Sequence, residues 1–418
     1  MSESPVWHPF WQHGLGDPVI RVTRAEGAAL FTAEGRRVID AVSSWWVTTH
    51  GHCHPRIVEA IREQAGQIDQ LIFAGWTHDP AEDVARGLTE ILPPELTRVF
   101  FSDSGSTSVE VALKMALGFW AHSGEPRHRI LVMEHSYHGD TIGAMSVGER
   151  GVYNAPYDPL LFDVGRIPFP VGDGANTIEA LEAACRERPA AFIVEPLVLG
   201  AGGMMMYGAG VLAAMAEVCR RHGVLFIADE VMTGWGRTGT LLACEQAGVV
   251  PDILCLAKGL TGGSMPLAVT LAREPIFQAH WSTDRAKTFY HSSSYTANPI
   301  ACAAARANLA IWREEPVLDR IATLGARQQA GLDRLAALPG IRNPRRCGTI
   351  IALEVEDPAG GYLSALAPRL MALFRDAGVL LRPLGNTIYV MPPYCISAED
   401  LTRVHDAIAD AVAVVLAG

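Results

Sequence analysis

At 418 residues the chain is long enough to bury one large core and a second, smaller one. Its 34 basic and 45 acidic side chains leave a net charge of −11, which excludes the cationic face that nucleic acid or an anionic membrane requires. No apolar run approaches the roughly 18 residues of a membrane span, and the eight cysteines are scattered without a CxxC pair, as in a reduced, cytoplasmic protein.

The first 40 residues contain no basic flank followed by an apolar run, so no secretory leader is expected. Ser43-Ser44-Trp45-Trp46 sets two indoles side by side, either as an apolar wall for a ligand or as core aromatics. His50, His52, Cys53 and His54 look metal-like, but their spacing fits no zinc pattern and Pro55 opens a helix directly after them. A structural loop and no metal are expected. From residue 99 onward, short β-rich runs (99–102, 130–133, 191–194, 224–228, 253–256, 268–271) alternate with helix-period segments (109–120, 178–187, 211–222). That alternation predicts an α/β fold with a mainly parallel sheet covered on both faces, in a large domain over 41–305. After about 305 the pattern changes to one long helical stretch, 299–338, then strands near 349–355 and 386–391 and a closing helix over 398–416. A smaller α/β domain over 306–418 is expected, with residues 1–40 packing against it.

Sheets of this kind collect ligands at the carboxyl ends of their strands. Here run 99–102 leads into Asp103-Ser104-Gly105-Ser106, run 191–194 into Glu195, run 224–228 into Asp229-Glu230, and run 253–256 into Ala257 and Lys258. Four polar ends therefore meet on one expected edge. Lys258, followed by Gly259 and by Gly262-Gly263, is either a surface lysine in a glycine-rich turn or a desolvated amine suited to Schiff-base chemistry. Asp229 is either a cap or a carboxylate for a protonated ring nitrogen. Ser104 to Thr107 opens a helix and offers an anion site, although an ordinary cap reads the same. Tyr137, in Tyr137-His138-Gly139-Asp140, is either a stacking aromatic or core. Gly208-Ala209-Gly210-Val211-Leu212-Ala213 fits a dinucleotide pattern, yet the preceding 204–207 is short and irregular, and the pattern leaves Lys258 and Ser106 unexplained.

The run from Asp229 through Arg237 to Gly239, with Pro251-Asp252-Ile253 and Lys258-Gly259, resembles the signature of class III aminotransferases, which are fold-type I pyridoxal phosphate enzymes. The resemblance covers nearly the whole chain. Trp7-His8-Pro9, Ser43 to Trp46, His50-Gly51, Gly139-Asp140-Thr141, Gly200 to Met204 and Tyr389 to Tyr394 are similar to the branch of that class that works in biotin synthesis. The resemblance implies a seven-stranded sheet and a ping-pong exchange in which Lys258 both carries the cofactor and moves the proton. Gly105 and Ser106 would hold the phosphate, Tyr137 would stack on the ring, and Asp229 would bind the pyridine nitrogen. Trp45, Trp46, Tyr137, Lys258, Ser292 and Arg382 would meet substrate, Arg382 clamping a carboxylate. Ser293 and Ser294 would reach the phosphate of the partner subunit in a homodimer. The donor implied is S-adenosylmethionine and the acceptor 8-amino-7-oxononanoate, giving 7,8-diaminononanoate. Two positions depart from that branch: Phe10 stands where a tyrosine is usual, and Ser292-Ser293-Ser294 replaces Gly-Pro-Thr. A broader ω-amino acid or amine:pyruvate aminotransferase, lysine as donor, and a pyridoxal phosphate-binding protein without turnover remain alternatives.

Overall fold

The computed structural model describes residues 4–417 apart from 359 and 362. Its centre is a seven-stranded sheet in the order Arg98–Ser102, Ala268–Ala272, Ile253–Leu256, Leu225–Asp229, Ala191–Val194, Ile130–Met133, Gly165–Ile167. Ala268–Ala272 runs antiparallel to both of its neighbours, and the other pairings are parallel. Every residue of the five strands between the two edge strands is buried, which is why they read as continuous apolar runs. Alternate side chains go to opposite faces. Ile130, Val132, Ile193, Ile227 and Ile253 join the core under helix Gly105–His122. Leu131, Phe192, Phe226, Leu254 and Leu256 join the core shared with helices Ala175–Cys185 and Ala209–His222. The α/β class and the seven-stranded sheet are thus as expected, and the six expected strands form with ends moved by at most one residue. The seventh, Gly165–Ile167, is a three-residue edge strand too short to leave a pattern.

Near the N-terminus, Val22–Glu26, Ala29–Thr32 and Arg37–Asp40 form an antiparallel meander, and Val379–Leu380 adds to it in parallel beside Arg37–Asp40. A three-stranded antiparallel sheet of Ile341–Cys347, Ile350–Val355 and Thr387–Val390 lies against helix Val317–Ala336. The closing helix spans Ala398–Leu416, capped by the Ser397 hydroxyl accepting from Asp400 N. Its Leu401, Val404, Ile408, Ala411, Val412 and Val415 face inward at helical spacing.

The expected helical stretch over 299–338 forms as two helices, Pro299–Glu314 and Val317–Ala336, broken where Pro316 has no N–H to continue the ladder. The first of them runs unbroken through residue 305, so the change of pattern there falls inside a helix and the chain turns at Glu315-Pro316 instead. Strand Ile341–Cys347 was not expected, because its Arg342, Asn343 and Arg346 face solvent and mask the alternation. Among the described residues no helix is long and apolar enough to cross a membrane.

Candidate active site

A cavity of about 430 Å³ opens at the carboxyl edge of the large sheet, where Gly105, Ser106, Tyr137, Glu195, Asp229 and Lys258 converge. Helix Gly105–His122 supplies one wall. Its capping box is complete: Ser104 Oγ accepts from Thr107 N at 3.2 Å, and Thr107 Oγ1 accepts from Ser104 N at 2.9 Å. The first-turn N–H groups of Gly105 and Ser106 have no preceding helical carbonyl to bond, and together with the helix dipole they favour an anion. A Cβ on Gly105 would sit 2.6 Å from Val231 Cγ1, so only glycine lets the helix start this close to the neighbouring strand end.

The floor is a buried polar network. Asp229 Oδ1 accepts from Val231 N at 3.1 Å, and its Oδ2 lies 2.7 Å from His138 Nδ1. His138 Nε2 is buried without a hydrogen-bond partner among the described residues. Glu195 accepts from Tyr137 N at 2.9 Å and from Gly200 N at 3.1 Å. Burial pushes the Glu195 carboxyl up to about 7; His138 opposes the rise and the Asp229 charge adds to it. Burial, and after it Asp140, raises the Tyr137 phenol above its ordinary range.

Lys258 stands three residues past Cys255, the register partner of Asp229 on the adjacent strand, with its backbone at φ 44°. Desolvation lowers its amine below the usual lysine range, while Asp229 and Glu195 partly oppose that shift. Its Nζ lies 5.3 Å from the centroid of Trp46, whose Nε1 donates to Tyr389 Oη at 2.9 Å. A desolvated amine, a carboxylate, a phenol ring and an anion cradle thus surround one space. A flat nitrogen heterocycle bearing an aldehyde and a phosphate fits those groups, and pyridoxal phosphate is such a molecule.

Of the residues singled out in the sequence, Gly105, Ser106, Tyr137, Asp229, Lys258 and Trp46 line this cavity. Trp45 does not. Its side chain is exposed, edge-on to Phe10 at 5.4 Å between ring centroids, with the Arg382 guanidinium 5.1 Å from its ring. The two indoles are therefore not one wall: with Ser44 at φ 59° and Trp46 at φ 67°, the backbone turns adjacent side chains apart. Arg382 is likewise outside the lining and donates to the Phe10 carbonyl at 2.9 Å. Ser292, Ser293 and Ser294 also stay outside the cavity of their own chain. Ser292 Oγ donates to Ser293 O at 3.1 Å, Ser293 Oγ donates to Asp103 Oδ2 at 2.9 Å, and the Ser294 carbonyl accepts from Gln70 Nε2.

Sequence reading gave no role to His138 or Glu195. Glu195 was visible as a polar strand end, but its partner Tyr137 N lies 58 residues away. Gly139, which the sequence marks only as part of a family motif, sits at φ 129°, and a Cβ there would come 2.1 Å from Ser106 Oγ. The histidines near residue 50 have separate partners, His50 Nε2 meeting Asn308 Oδ1 at 2.9 Å and His52 Nε2 meeting Asp40 Oδ2 at 2.8 Å. Among the described residues no cluster is placed to hold a metal ion. Gly208 caps helix Ala209–His222, and none of the 208–213 run lines the cavity.

The family described as aminotransferase class-III matches residues 11–412. The adenosylmethionine-8-amino-7-oxononanoate aminotransferase of Synechococcus elongatus is 48% identical, over 98% of this chain and 98% of its own. The crystal structure of the enzyme of that name from Methanocaldococcus jannaschii superposes with a TM-score of 0.94 at 32% identity, covering 98% of this chain and 96% of that one. An amine transaminase from an uncultivated Pseudomonas species, in its PLP-bound form, gives a TM-score of 0.93 at 34% identity over 99% of both chains.

Proposed function

The chain belongs to the class-III aminotransferases, and from that premise we propose that it transfers an amino group from S-adenosylmethionine to 8-amino-7-oxononanoate. It is a pyridoxal phosphate-dependent transaminase. The observation that carries the substrate reading is the 48% identity, over essentially full length, to a relative of that name. When bound, the cofactor supplies an aldehyde for amine exchange and an electron sink for the carbanion.

The protein's own groups do the rest. Lys258, whose amine burial shifts towards the neutral form, would anchor the cofactor as its nucleophile and serve as the base that moves a proton at the substrate carbon. Asp229 keeps the ring nitrogen protonated, and His138 holds the Asp229 carboxylate in place. Gly105 and Ser106 would hold the phosphate with first-turn N–H groups, Tyr137 would offer its ring to the cofactor's, and Trp46 would close the substrate side. Arg382, beside Phe10 and Trp45, takes the acceptor's carboxylate through its planar fork. Ser292 to Ser294 serve the site of a second subunit in a cytoplasmic homodimer. The cofactor-binding domain runs from about residue 41 through helix Pro299–Glu314, and residues 1–40 pack with the segment that follows Pro316.

The deciding experiment is a half-reaction without acceptor. S-adenosylmethionine should discharge the visible absorbance of the bound cofactor. The 34%-identical amine transaminase supports a second reading, in which simple ω-amines discharge the absorbance and S-adenosylmethionine does not. Discharge by lysine alone would reassign the donor.

A further inference from the structure

The turn that carries Trp46 into the cavity has a backbone that residues with side chains avoid. Ser43 is at φ 54°, Ser44 at φ 59° and ψ −100°, and Trp46 at φ 67°. The Ser44 combination is one that essentially only glycine adopts freely. Strain of this kind persists where surrounding contacts over-determine it.

Those contacts converge on Asp40, the last residue of strand Arg37–Asp40, whose side chain is completely buried. Its Oδ1 accepts from Val42 N at 3.1 Å and its Oδ2 from Ser44 N at 2.7 Å. His52 Nε2 lies 2.8 Å from the same Oδ2 and fixes the carboxylate from its outer side. Ser43 Oγ donates to Met391 O at 2.8 Å, and Arg237 donates to the carbonyls of Trp46 and Thr48. At the far end of the turn the indole has little room to relocate: a Cβ on Gly200 would come 3.2 Å from Trp46 Cζ3.

We propose that Asp40 is a positioning residue of the active site, its buried carboxylate holding the strained 43–46 turn so that Trp46 stands against Lys258. The inference rests on reading the cavity as the transamination site. An asparagine at position 40 has one acceptor oxygen and would set its NH₂ either against Val42 N–H or against Ser44 N–H and His52 Nε2 together, so one anchor of the turn is lost in either orientation. The turn is then free to relax, and Trp46 moves with it.

The test uses holoenzyme. Asp40→Asn should lower kcat/KM for the amino acceptor by about thirtyfold, mostly through KM, and change the visible circular dichroism of the bound cofactor. Adding Ser44→Gly should restore kcat/KM to within about threefold of wild type, since glycine holds this backbone without the anchor. A merely structural Asp40 would not be rescued that way. Wild-type kcat/KM in Asp40→Asn, or a loss that Ser44→Gly leaves unchanged, overturns the inference alone. An inactive wild-type protein overturns the functional reading and this inference with it. If Asp40→Asn does not accumulate as folded protein, His52→Gln carries the same test: a loss that Ser44→Gly rescues supports the role, while no loss or an unrescued one overturns it.

Discussion

Gly139 joins two halves of the cofactor cradle, and replacing it with alanine measures how tightly they must meet. A Cβ there would lie 2.1 Å from Ser106 Oγ, 2.6 Å from Ser106 Cβ and 2.8 Å from Ser106 Cα. The hydroxyl can rotate away, but Cα belongs to the first turn of helix Gly105–His122 and cannot. The loop after Ile130–Met133 must therefore draw back from the helix start, and the hydrogen bond from Asp140 N to Ser106 Oγ, now 3.2 Å, stretches with it. Overpacking costs about 1–3 kcal/mol, and an alanine at φ 129° adds about 1–3 kcal/mol of backbone strain. The empty protein can relieve part of this by opening the loop, whereas the loaded one cannot. About 2–4 kcal/mol should then fall on cofactor binding, loosening pyridoxal phosphate by roughly thirtyfold to a thousandfold. Titrating apoprotein with the cofactor and following its visible absorbance reads this directly. Gly210→Ala is the control, since a Cβ there meets nothing within 4 Å. A dissociation constant for Gly139→Ala within about twofold of wild type would refute the reasoning, because strain of the size given above could not then exist.

Three further predictions follow from the same geometry. Lys258→Ala should abolish amino transfer while the far-ultraviolet circular dichroism stays that of wild type, and turnover at the wild-type rate would remove Lys258 from its role. Arg382→Ala should raise KM for the keto acid about tenfold or more and leave the adenosyl donor little changed; equal losses for both substrates would count against a carboxylate clamp. His50 is a buried histidine whose imidazole is held down at about 4, against 6.5 when free, chiefly by burial. As pH falls below 6.5 the unfolded chain takes up that proton first. The stability that neutral His50 confers is thus full above 6.5 and is lost as pH drops towards 4. Urea midpoints across this window should fall less steeply in His50→Gln, by about one proton, and an unchanged slope would contradict the assignment.

The cofactor side of the site was legible because its chemistry hangs on buried parallel strands, which read as apolar runs with a polar residue at the end. Lys258 and Asp229 were found that way, and the glycines and hydroxyls at 104–107 marked a helix start. On the substrate side Trp46 lines the cavity as expected, while Trp45 and Arg382 lie outside its lining. Whether Trp45 and Trp46 share a wall depends on the backbone at Ser44 and Trp46, and no residue there is a glycine that would announce a left-handed turn. The partner of Arg382 is a carbonyl 372 residues away, which side-chain chemistry cannot reveal. His138 gave no signal beyond standing next to Tyr137, and strand Ile341–Cys347 hides behind its arginines.

Arg237 bears on when the site can exist at all. Its guanidinium is fully buried, makes no ion pair among the described residues, and donates to carbonyls of Trp46, Thr48 and Pro392, which lie 191, 189 and 155 residues away along the chain. A buried cation deprived of its acceptors is strongly destabilising. During synthesis Trp46 and Arg237 both precede Pro392, so the full set of acceptors for this cation is complete only once residue 392 has been added. A product truncated before residue 392 therefore lacks one of the three carbonyls that hold this cation beside Trp46.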